Sequence, residues 1–157
     1  MKKSIVETYP NAWDFVNSDK QMRSRAGDLR IEYVDLFEIA IGAPLGREAY
    51  LVTDDKRLLI DNWCAGPPIW DKEGKKVAIP KWTRTFWKGT LQQLIVIDLS
   101  TGEKITYKRR FHVLDLRGFN KNKIYGYDSP RYKPKTIEFN LAKEKIETKT
   151  KIPIANN

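Results

Sequence analysis

The chain has 157 residues, 41% of them hydrophobic and 11% aromatic, which is enough apolar side chain for one cored domain and too much for an unstructured chain. Its net charge is +9, and no apolar run approaches the ~20 residues that a bilayer-crossing helix requires. With Cys64 as the one cysteine and His112 as the one histidine, neither an internal disulfide nor a Cys/His zinc site can be built.

The start, Met1-Lys2-Lys3, is basic, but polar and acidic residues follow at once, so no secretory leader is expected. Together with the single thiol this points to a reducing, cytoplasmic setting. The segment from Pro10 towards Met22 predicts a short helix, with Asn11 as its N-cap and Gly27 beyond its end. Residues 1–28 are thus expected to be helical or irregular. From Leu29 to Ala40 the period is two with apolar residues on both faces, which predicts one largely buried strand ended by Gly42-Ala43-Pro44.

The rest predicts antiparallel hairpins. Ala49–Thr53 and Arg57–Asp61 flank Asp54-Asp55-Lys56. Ile69-Trp70, a charged turn, and Lys76–Pro80 form a strand-turn-strand unit. Pro80–Gly89 has no clean period and reads as a long loop. Leu94–Leu99 and Lys104–Lys108 pair around a turn in which Gly102 supplies a positive φ. Phe111–Leu116 and Lys123–Tyr127 pair around Gly118-Phe119-Asn120, and Thr136–Leu141 pairs with Lys145–Lys149. Residues 150–157 read as a loose tail. The expected fold is one mainly β domain over 1–157, built as an antiparallel meander.

A weak repeat runs through this region. Ile95, Ile97, Asp98 and Leu99 match Ile137, Phe139, Asn140 and Leu141 at an offset of about 42 residues, a length typical of propeller blades. Trp70-Asp71-Lys72-Glu73-Gly74-Lys75-Lys76-Val77-Ala78 resembles the W-S-P-D-G-K-K-I-A opening of TolB-type β-propeller blades. Ile95 to Glu103 resembles their V-x-D-L-x-T-G-E strand and turn. The resemblance covers residues 68–149. It implies open, blade-like sheets, because the strand region is too short for the four blades that a closed propeller needs.

No catalytic constellation is legible. His112 lies within an alternating Arg110–Leu114 run, and Cys64 precedes Gly66-Pro67-Pro68, so both read as structural. Gly42 to Arg47 lacks the Lys-Ser/Thr ending of a phosphate-binding loop. Asp54, Asp55 and Asp61 read as turn formers rather than metal ligands. The expectation is a non-enzyme without cofactor or metal.

Two features favour binding. Trp82, Phe86 and Trp87 are interleaved with Arg84 and Lys88, a composition typical of interface hot spots. The whole charge excess lies in residues 104–157, where Arg109, Arg110, Arg131, Tyr132 and Lys133 mix cations with rings. Residues of this kind suit either an acidic protein face or RNA and single-stranded nucleic acid, whose bases stack on rings. As a short, single-domain, β-rich chain without catalytic motif, the protein resembles the stand-alone immunity proteins of bacterial contact-dependent toxin systems. That resemblance implies a cytoplasmic inhibitor whose partner is a cognate toxin. The basic surface adds that the toxin's bound face is acidic. Nucleic acid is the alternative ligand, and no membrane partner is expected.

Overall fold

The computed structural model describes residues 11–24, 28–38, 43–131 and 133–154. The first strands are β1 (Arg30–Tyr33), β2 (Phe37–Glu38), β3 (Leu45–Val52) and β4 (Arg57–Cys64). Next come β5 (Ile69–Trp70), β6 (Lys76–Thr85), β7 (Gly89–Asp98) and β8 (Glu103–Tyr107). The last four are β9 (Leu114–Asn120), β10 (Lys123–Asp128), β11 (Lys135–Asn140) and β12 (Ile146–Lys151). They form a 9-stranded antiparallel sheet in the order β1-β3-β4-β6-β7-β8-β12, with β2 on β3 and β5 on β6, and a 3-stranded sheet β11-β10-β9. The chain is mainly β, as its period-two patterning predicts.

The run Leu94-Ile95-Val96-Ile97 explains how the sheets stack. Ile95 and Ile97 join Val77, Ile79, Leu51, Ile60 and Ile31 in one core. Leu94 and Val96 point the other way, into a second core with Leu114, Phe119, Ile124 and Phe139 of the small sheet. A strand buried on both faces has no polar face to present, so its sequence loses alternation. The large sheet also rolls upon itself. The Lys104 ammonium on β8 donates to the Ile60 carbonyl on β4, across the two strands that separate them in the sheet. Lys56, in the β3–β4 turn, reaches the Pro153 carbonyl beyond β12 at 3.4 Å. The first core is therefore enclosed by the curl of one sheet.

Several expectations need correction. The N-terminal helix is only a 3-10 turn, Lys20–Met22. Its polar side chains take the backbone instead: Asn11 Oδ1 accepts Trp13 N–H at 3.0 Å, and Asp19 Oδ2 accepts Val16 N–H at 2.8 Å. Such local bonds compete with helix. Gly27, the expected helix stop, lies outside the described residues. The strand from Leu29 divides at Asp35, whose φ is +50°, into β1 and the exposed β2; Ile39 and Ala40 are outside the described residues. The β9–β10 turn falls at Lys121-Asn122, with Lys121 at φ +57°, rather than around Gly118. Gly102 does take a positive φ, +76°.

The largest difference concerns the C-terminal third. β11 and β12 do not pair with each other. β11 pairs back on β10, and β12 crosses to β8. The β7–β8 pair and its repeat equivalent therefore have different topologies, and the repeat is not two stacked blades. Of the tail expected over 150–157, residues 150–154 are not loose: β12 runs to Lys151, and the buried Ile152 donates its N–H to the Gly102 carbonyl at 2.7 Å, while 155–157 lie outside the described residues.

Candidate binding surface

β6 and β7 pair without a break from Lys76↔Asp98 to Thr85↔Gly89, so the segment expected to be a loop is the end of a long hairpin. Pro80 hides it in the sequence, since proline lacks a ladder donor and argues against a central strand. Here its carbonyl serves instead, accepting Ala65 N–H at 2.9 Å. The hairpin ends in Phe86-Trp87-Lys88. Thr85 Oγ1 accepts Lys88 N–H at 3.0 Å and donates to the Gly89 carbonyl at 2.8 Å, while Gly89 closes the turn at φ +72°. Three loop residues followed by a left-handed glycine are a standard hairpin closure.

The tip holds two bare rings. Phe86 and Trp87 are each 87% exposed and meet edge to face, centroids 4.8 Å apart. Trp82 differs. It is 4% exposed, packs on Trp63 at 6.2 Å, and lies over Gly46, where a Cβ would come within 2.6 Å of its indole nitrogen. Its place is in the interior, so it cannot be an outward anchor of the kind expected from the sequence.

Two contiguous grooves run from the tip. The first, about 610 Å³, has Leu91 and Phe111 as its apolar part, with Arg84, Lys88, Arg110 and Lys135 around them. The second, about 520 Å³, shares His112, Asp128 and Lys135 with the first and continues to Trp13 and Lys133. The connecting wall is fixed by Gln92. Its backbone exchanges two hydrogen bonds with Phe111, at 2.7 and 2.9 Å, and its side-chain oxygen accepts Leu114 N–H at 2.7 Å. Among the described residues, Asp128 is the only carboxylate lining either groove. Its Oδ1 accepts the N–H groups of His112 and Val113 and the Ser129 hydroxyl, at 3.0, 3.1 and 3.2 Å. That carboxylate serves the loop.

The fold thus gathers Arg84, Phe86, Trp87, Lys88, Arg110 and Lys133 along one surface. Arg131 is not in the groove lining but lies beside it, over the Trp13 ring that is, at 4.2 Å. Arg110 is also paired with Glu147 at 3.3 Å. Arg109 does not line these grooves. It pairs with Glu144 at 3.3 Å and stacks over Phe111 at 5.0 Å. Tyr132 lies outside the described residues. Sequence reasoning missed Trp13, Leu91 and His112, which only tertiary contacts bring to the grooves, whereas Phe111 was legible as the end of the cation-and-ring run Tyr107–Phe111. Lys135 lies two residues beyond Lys133, in the same basic stretch.

The groups with displaced proton affinities lie elsewhere. Burial pushes the Tyr33 phenol and the Cys64 thiol well up, and burial with nearby Glu103 and Glu144 pushes Tyr107 up to about 12. No group of three His, Cys, Asp or Glu among the described residues is placed to hold a metal ion. No helix among them is long and apolar enough to cross a membrane. Comparison with protein-family models, curated proteins and solved structures found no match.

Proposed function

We propose that this chain is a cytoplasmic binding protein that neutralises a partner protein by direct contact and carries out no catalysis, in the manner of a bacterial toxin immunity protein. The observation that carries the reading is the pair of bare rings at the end of a long hairpin, ringed by Arg84 and Lys88. An exposed Trp-Phe pair costs the free protein apolar hydration. It is repaid when a concave partner surface desolvates the rings, which is how hot spots act. The surrounding cations require that partner surface to be acidic and steer its approach.

Single-stranded nucleic acid is the second reading, favoured by the predominantly basic lining of the grooves. The ring geometry ranks it second. Successive bases stack on parallel ring faces, whereas Phe86 and Trp87 stand at 80° to each other. The arrangement makes a knob rather than a platform.

The test is capture of a stoichiometric protein partner from the native host, followed by titration calorimetry with Trp87→Ala and Phe86→Ala. Each substitution is expected to weaken binding by about 2 kcal/mol, roughly 30-fold, with an unchanged melting temperature. An unaltered affinity in both variants sinks the reading. So does binding to oligothymidylate alone, with no captured protein.

A further inference from the structure

We infer that the double groove receives an extended acidic peptide segment of the partner, gripped by Arg84 near the hairpin tip and by Arg131 near Trp13. The inference rests on the protein-binding reading above and adds what the second half of the contact recognises. Several arginines in this structure lie over aromatic rings. Arg57 over Tyr50 is also tied to Glu32, and Arg109 over Phe111 is tied to Glu144. Arg47 over Phe37, at 4.6 Å, Arg84 over Trp63, at 5.5 Å, and Arg131 over Trp13, at 4.2 Å, have no ion pair among the described residues, and of these Arg84 and Arg131 are the two at the grooves.

A ring beneath a guanidinium limits its motion, and a stacked guanidinium keeps its in-plane N–H groups free, so a carboxylate can bind in a two-point fork with little further ordering. Along the grooves the walls carry Lys88, Lys133, Lys135 and the Glu147-paired Arg110, and Asp128, the one carboxylate among the described lining residues, is bonded to its own loop. Phe86, Trp87, Trp13 and Val113 supply apolar surface among the charges, with the buried Leu91 and Phe111 at the floor, which suits a peptide backbone with its side-chain methylenes. The local charge is unbalanced in one direction, and an acidic chain balances it.

The probe is a short fluorescein-labelled Glu/Gly peptide, followed by anisotropy, with its Gln/Gly counterpart as control. The acidic peptide should bind and the amide peptide should not. Arg84→Lys/Arg131→Lys keeps every charge but removes both forks, and should weaken binding about 10-fold. Lys121→Gln/Lys143→Gln removes two charges outside the grooves and should change it by less than about 2-fold at physiological ionic strength. His112 is the sole histidine and sits where the grooves meet, so its ring proton resonances should shift on peptide addition.

Unchanged affinity in the lysine double variant overturns the inference. So do a motionless His112 signal at saturation, or displacement of the peptide by oligothymidylate of equal charge. If the captured partner still depends on Trp87 but not on either arginine, the groove assignment fails while the binding function stands.

Discussion

Asp115, on β9, shows how a single side chain can set the pH response of the small sheet. Its Oδ2 accepts both Nε and Nη2 of Arg117, at 3.1 and 2.9 Å, while Oδ1 is buried without a hydrogen bond. Burial raises its affinity for a proton, and Arg117 only partly offsets this. An acid whose folded pKa lies above its unfolded value, ~3.9, stabilises the fold when protonated. That contribution is complete below the unfolded pKa and is lost as pH rises through the folded one. Asp115→Asn, which cannot ionise, removes the dependence. Wild type is therefore expected to gain stability relative to Asp115→Asn as pH falls from 7 towards 4, read from urea midpoints of both proteins. A difference that stays flat, or moves the other way, means that the Arg117 pair outweighs desolvation.

At the scale of elements, the hairpin tip makes a sharper point. Thr85 is the residue whose hydroxyl ties Lys88 to Gly89, and it packs against no core. Thr85→Ala should cost less than about 1 kcal/mol of stability. It should nonetheless weaken partner binding several-fold, because a frayed tip must be ordered again on docking. Calorimetry on the captured complex checks this, and an affinity equal to wild type would show that the tip is rigid without the hydroxyl. The tip also shows what the sequence made legible. Turns at Asp54–Lys56 and Ser100–Glu103 follow from local chemistry, and both were readable. The exposed rings were readable as a cation-flanked cluster, but Pro80 obscured the strand that carries them. The partner of β12 was not readable, and the reason is physical. All of its residues are exposed, so no buried face specifies its register. It is placed by distant backbone bonds, Lys108 N–H to Lys145 O and Ile152 N–H to Gly102 O. β11, in contrast, must deliver Ile137 and Phe139 to the second core, which draws it to β10 and away from its sequence neighbour.

For the molecule as a whole, the rolled sheet makes one residue a reporter of global opening. Cys64 pairs with Arg47 on β3 and with Lys81 on β6, and its thiol lies fully buried, directed at the Asp61 carbonyl 3.7 Å away. Burial first, and the Asp61 carboxylate second, push its pKa far above that of a free thiol, against the weaker pull of Lys104 and Lys81. The thiolate is the reactive form, so both access and ionisation protect it. The core around it draws on β1, β3, β4, β6, β7 and on Ile152 beyond β12, which leaves no small piece that can lift away to expose it. Alkylation by iodoacetamide should then be slow in the native protein, and its rate across a urea series should track the globally unfolded fraction. Trp87→Ala, remote from this core, should leave that curve unchanged. Rapid, complete labelling without denaturant would mean that the roll opens locally at β3–β4. The first core would then be two parts, and the link from β8 to β4 through Lys104 would not hold the sheet closed.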